Sequence, residues 1–134
     1  MLNGFDMKAM IADYMERGFL DNIVDMFKND PGLYPLVGDL MTDDRIRVRL
    51  GISALVETLA KEDPGNIAAS IPSIAGLLQN QNPVIRGDAV YLLGITGHPD
   101  AISYLTEALH DEHKEVREIA KEAIEGTESH ADNP

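Results

Sequence analysis

The chain has no cysteine and no tryptophan, and its 134 residues include only three phenylalanines and four tyrosines. Without cysteine there is no disulfide and no thiolate metal site, and a reducing, cytoplasmic setting is the expected one. Basic residues are scarce, 11 against 23 acidic, for a net charge of −12. Phosphate backbones need the opposite sign, so nucleic acid is not an expected partner. No apolar run approaches membrane-spanning length, so no membrane partner is expected either. The first residues, MLNGFDMK, lack a basic region followed by an apolar run, and no signal peptide is expected. A glycine-rich phosphate loop, a nucleophile elbow and a paired-acid motif are also missing. What remains is an aliphatic chain of single-domain length.

That chain repeats itself. A shift of 31 lays Ile71, Ile74, Leu77 and Leu78 on Ile102, Leu105, Ala108 and Leu109. The same shift puts Asn80 on Asp111, Ile85-Arg86 on Val116-Arg117, and Ala89, Leu92 and Leu93 on Ala120, Ala123 and Ile124. A further shift of 37 adds Tyr34, Val37, Leu40, Met41, Asp43, Val48-Arg49, Ile52, Leu55 and Val56. The six extra residues of the longer spacing lie around the turn sequence 61–66. Within each copy the apolar residues recur at helical spacing on two short stretches, which predicts a pair of amphipathic helices.

These columns resemble HEAT repeats, in particular the HEAT-like repeats of phycobilisome lyases. The residues that carry the resemblance are the turn positions Asp43, Asn80 and Asp111, the Val-Arg or Ile-Arg pair six residues later, and the small and aliphatic run after it. The resemblance covers roughly residues 31 to 127. It implies an all-α, right-handed solenoid of about four antiparallel helix pairs, generally used to bind other proteins. It also implies a ladder in which Arg49, Arg86 and Arg117 reach the turn residues of their own or a neighbouring repeat. An iron-dependent deoxyhypusine hydroxylase of this type carries His-Glu pairs just after the Val-Arg position. Here those places hold Leu50-Gly51, Gly87-Asp88 and Glu118-Ile119, which excludes that enzyme.

In chain order, residues 1–5 read as a loose arm, followed by a helix from Asp6 to about Glu16 and a second from Phe19 to Phe27. This pair, within residues 1–30, is a degenerate repeat serving as a cap, since a terminal repeat must turn one polar face to water. Residues 31–61, 62–97 and 98–127 are the three repeats of a single domain, and 128–134 a disordered tail. A continuous helix is expected from Pro31 to Met41, with Pro35 early enough to be tolerated. Leu40, Leu77, Leu92, Leu93, Leu105 and Leu109 should be the least replaceable core residues.

The acid and arginine columns are read as structural. Asp43, Asn80 and Asp111 can accept from free N–H groups at the next helix start, and Asp111 is expected to cap the last helix, with Arg117 of its own repeat or the arginine of a neighbouring repeat in reach of it. His110 and His113 bracket two acids but are claimed by a turn and by solvent, so no metal site and no cofactor are assigned. In HEAT solenoids the second helices line the concave surface. That places Leu50 and Ala54, then Tyr91, then Glu118 and Glu122 on a partly apolar trough beside an acidic wall. The expected function is a non-catalytic adaptor or scaffold, monomeric or weakly self-associating, whose partner is a basic or amphipathic protein segment. A phycobilin-lyase-like protein and a structural subunit of a homo-oligomer are the alternatives.

Overall fold

The computed structural model of the protein describes the backbone of residues 4–131 and the side-chain surroundings of residues 7–127. Its α-helices are α1 (Gly4–Glu16), α2 (Leu20–Asn29), α3 (Val37–Leu40), α4 (Ile46–Glu62), α5 (Ile71–Gly76), α6 (Pro83–Thr96), α7 (Ile102–Ala108) and α8 (Lys114–Ala131). Among the described residues there is no strand. First helices stack on first helices, α3 on α5, and second helices on second helices, α4 on α6 and α6 on α8. The result is an α-solenoid, and no helix among the described residues is long and apolar enough to cross a membrane.

The first helix of each repeat is broken up. Tight 3-10 turns at Pro31–Leu36, Ile67–Ser70 and Pro99–Ala101 precede α3, α5 and α7. The continuous helix expected from Pro31 to Met41 is therefore replaced by a six-residue 3-10 segment and a four-residue α-helix. Pro35 sits inside that segment and has no N–H to give, so a regular α ladder cannot form across it. The second helices carry no internal proline and run long, 17 residues in α4 and 14 in α6.

The core follows the repeat columns. Val48, Ile52, Leu55 and Val56 of α4, Ala89, Leu92 and Leu93 of α6, and Val116 and Ala120 of α8 are all buried. Tyr34 is fully buried as well, edge-on to Phe27 with ring centroids 5.3 Å apart. Its hydroxyl donates to Asp63 at 2.6 Å, which satisfies the one polar atom that this ring brings into the core. Burial, helped by that bond, holds the Tyr34 phenol above its ordinary pKa.

Several expectations need correction. Leu40, Leu77, Leu92, Leu93 and Leu105 are buried, but Leu109 is only half-buried and Ile102 is 45% exposed. Both belong to the last pair, over which no further pair stacks among the described residues. Phe19 is also 45% exposed and stands before α2 rather than in it, edge-on to Tyr14 at 5.9 Å. The cap reaches the next repeat through both its helices: Phe27 of α2 meets Tyr34, and Met15 of α1 lies over Gly51 of α4, where an added Cβ would come within 2.1 Å of it. Helix α1 begins at Gly4, so Asp6 lies inside it rather than ahead of it, and the arm's residues 1–3 fall outside the described residues. Helix α8 runs on to Ala131, past the expected end at 127, and residues 132–134 are outside the described residues. Gly126 does not stop it, because a glycine inside a helix costs only about 1 kcal/mol relative to alanine.

Truncating Leu93 to alanine should destabilise the fold by about 2–5 kcal/mol, since it leaves a cavity between stacked pairs. Leu109→Ala should cost distinctly less. Urea unfolding of the two variants against the parent checks both, and equal losses would contradict the stacking order.

Candidate functional site

The three inter-helix turns share one construction. Asp43 Oδ1 accepts from the Arg45 N–H at 2.9 Å, Asn80 Oδ1 from the Asn82 N–H at 2.8 Å, and Asp111 Oδ1 from the His113 N–H at 2.8 Å. Each bond spans two residues, so the side chain closes the turn one step ahead of the helix. Asp111 is thus not the N-cap of α8 as expected, because His113 lies between it and Lys114. In the middle repeat the cap is Asn82, whose Oδ1 accepts from the Val84 N–H at 3.0 Å.

The arginines repeat as well. An Nη1 of Arg49, Arg86 and Arg117 donates to the backbone carbonyl of Asp43, Asn80 and Asp111 respectively, always six residues back. Only Arg86 goes on to a carboxylate. Its Nε and Nη2 grip the two oxygens of Asp111 in the next repeat, at 2.8 and 3.2 Å, and both side chains are nearly buried. Of the two reaches open to the ladder, the Asp111 side chain takes the arginine of the neighbouring repeat, Arg86, while Arg117 donates to the Asp111 backbone carbonyl. The position before it has Asn80 in place of an acid, so Arg49 has no such carboxylate there. Asp43 is held by Arg45, which also reaches Asp13 of α1 at 3.0 Å. The bond to Arg86 keeps the Asp111 carboxyl below its ordinary pKa of 3.8, and Arg45 does the same for Asp43.

A different set of residues faces outward. Leu50 is 63% exposed and Tyr91 48%, so neither belongs to the buried core. Ile46 (61%) and Val84 (66%), which the sequence reading did not single out, join them. All four belong to second helices, α4 and α6. Further along, Glu57, Tyr91 and Glu122 line one groove of about 700 Å³ with a floor of Ala60, Gly94 and Ala123. Tyr91 donates its hydroxyl to Glu57 Oε1 at 2.8 Å, and that bond raises the phenol's pKa. Leu50 and Ala54 lie outside the groove, and Glu118 lines a separate depression with Leu109, Lys114, Arg117 and Lys121. Of the residues proposed for contact, the structure joins Tyr91 and Glu122 in one groove.

Asp88 is a residue the sequence reading passed over. It is half-buried in a cleft with Val84, Gly87, His113 and Ile119, and burial pushes its carboxyl upward in pKa against the pull of Arg49. Its signal was its place one residue after a glycine in the repeat register, where the last repeat holds Ile119. His110 is exposed, and His113 stands 3.9 Å from Glu115. Among the described residues no three His, Cys, Asp or Glu side chains gather as a metal site.

The profile of a family described as HEAT repeats matches residues 35–125. A crystal structure of an engineered protein, solved for a structural genomics consortium, superposes with a TM-score of 0.56 at 18% identity. The match covers 93% of this chain and 57% of that one, so the chain spans little more than half of that structure. At this identity the likeness concerns the fold alone. No curated protein matches the sequence.

Arg86→Ala and Asp111→Ala should each destabilise the protein, and the double variant should lose less than the sum of the two, because the bond they share is removed in all three. Arg117→Ala, which leaves that bond in place, should cost less. The Asp111 carboxyl titrates lower in the folded than in the unfolded chain. Its contribution is complete above the unfolded value and disappears as pH falls from 3.8 through the depressed folded value. Thermal unfolding in acid should accordingly fall off less steeply for Arg86→Gln than for the parent.

Proposed function

Because the chain belongs to the HEAT-repeat family, we propose that it is a non-catalytic scaffold that binds another protein on the face carried by α4, α6 and α8. HEAT repeats generally mediate protein–protein interaction. The observation that supports this face is the distribution of exposed apolar side chains. Six large ones are exposed among the described residues, and four of them, Ile46, Leu50, Val84 and Tyr91, lie on α4 and α6. The other two, Phe19 and Ile102, belong to the first and last pairs. Apolar area concentrated on one face and flanked by charge is a contact surface rather than a solvated one.

The charge of the same face argues for a basic partner. Glu57 and Glu122 flank it, and the chain as a whole carries −12. A second copy would bring like charge against like, which disfavours the homo-oligomer reading. The lyase-like reading draws on the groove's volume, which falls within the range of small-ligand pockets. A bilin absorbance titration separates it from the scaffold.

The test is to isolate the partner from the native cell and measure its affinity for Leu50→Glu and Val84→Glu, after circular dichroism shows both variants folded. Each should weaken binding by at least about tenfold. Unchanged affinity in both would place the binding surface elsewhere.

A further inference from the structure

The inference that follows rests on that reading of the α4–α6–α8 face and concerns what enters its groove. Glu57 stands on the α4 wall and Glu122 on the α8 wall, with Tyr91 of α6 between them. The bond from Tyr91 to Glu57 uses the hydroxyl proton and fixes the ring, while nearly half of the residue stays exposed. A fixed, accessible aromatic ring beside carboxylates attracts cations. Helices α4 and α6 end at this edge, and Pro64, Thr96 and Gly97 line it, so the partial negative charge of two helix C-termini adds to the field. Lys61 is the one cationic residue in the lining.

The spacing along the face is regular. Leu50 and Glu57 are seven residues apart on α4, and Val84 and Tyr91 seven apart on α6. Two helical turns, about 10 Å, therefore separate an apolar end of the face from a cation-attracting end. A planar guanidinium can stack on a tyrosine ring and bond a carboxylate through two N–H groups together, which an ammonium cannot do.

We propose that the groove takes an arginine of a basic amphipathic segment of the partner protein, with the guanidinium over Tyr91 between Glu57 and Glu122. The segment's apolar residues then lie about two turns away on Leu50 and Val84. The chemistry selects against acidic segments, and against a second copy of this chain.

The experiment uses the full chain and a fluorescent synthetic helical peptide of about 20 residues. The peptide bears leucines on one stripe and a single arginine about two turns further on. Two further peptides replace the arginine with lysine or with citrulline, which keeps the shape and removes the charge. Anisotropy titrations are run against the parent, Tyr91→Phe, Tyr91→Ala, Glu122→Gln, Leu50→Glu and, as a control outside the groove, Glu107→Gln. The arginine peptide should bind tightest, the lysine peptide about threefold weaker and the citrulline peptide about tenfold weaker. Tyr91→Ala and Glu122→Gln should each erase most of the arginine–citrulline difference. Tyr91→Phe should retain the ring's share of it, and Glu107→Gln should leave it intact. Equal affinity for the arginine and citrulline peptides overturns the proposal, and so does an arginine preference that survives both Tyr91→Ala and Glu122→Gln. Charge-blind binding that Leu50→Glu abolishes rejects the arginine while keeping the face as a protein-binding surface. Failure of all three peptides to bind also rejects the arginine, and the face is then judged by the native partner alone.

Discussion

Two amphipathic helices packed as a hairpin cover only part of each other's apolar surface. The remainder has to be covered by the next hairpin, and each pair in this chain is shaped by having or lacking that neighbour. Leu92 and Leu93 of α6 are fully buried because α8 lies beyond them. Leu109 and Ile102 are not, because no hairpin among the described residues stacks past α7 and α8. The arginine ladder adds direction to that packing. Arg86 anchors on its own turn carbonyls and then holds the acid of the following repeat, so the bond locks one hairpin's position relative to the next. Its near-burial makes it sensitive to the loss of either partner, since a lone buried charge is costly.

Much of this was legible in the sequence because the repeat is a comparison of the chain with itself. Shifts of 31 and 37 placed Val48, Ile52, Leu55, Ala89, Leu92 and Val116 in columns, and those columns are the core. The same comparison could not assign the partner of Asp111. Arg117 lies six residues away and Arg86 twenty-five, and nothing local distinguishes a contact within a repeat from one across it. The Arg45–Asp13 and Tyr34–Asp63 bonds were missed for the same reason: each crosses a repeat boundary, where no column records it. The broken first helix at Pro35 was not legible: the proline was visible, but it was read as tolerated within a continuous helix.

The binding face was read less completely than the core. Helical periodicity identified Leu50, Tyr91 and Glu122 as outward, and that orientation is what the fold shows. It did not reveal Ile46 and Val84, because an apolar residue in the first turn of a helix resembles a core residue until neighbouring helices are in place. Nor did it separate Glu118 from Glu122, which are one turn apart yet line different depressions. Their parting depends on how α8 lies against α6, a tertiary fact.

That closeness of α8 to α6 is set at Gly94, where an added Cβ would lie 2.7 Å from the Cβ of Ala123. The two helices touch almost backbone to backbone there, and the floor of the groove is the line of that contact. The groove's depth is therefore a matter of helix separation and not of the side chains that would meet a ligand. A larger residue at this seam would push the helices apart and widen the groove, while Glu57, Tyr91 and Glu122 on its walls stay the same. The width of the groove is thus set by the seam beneath it and its charge by the walls above.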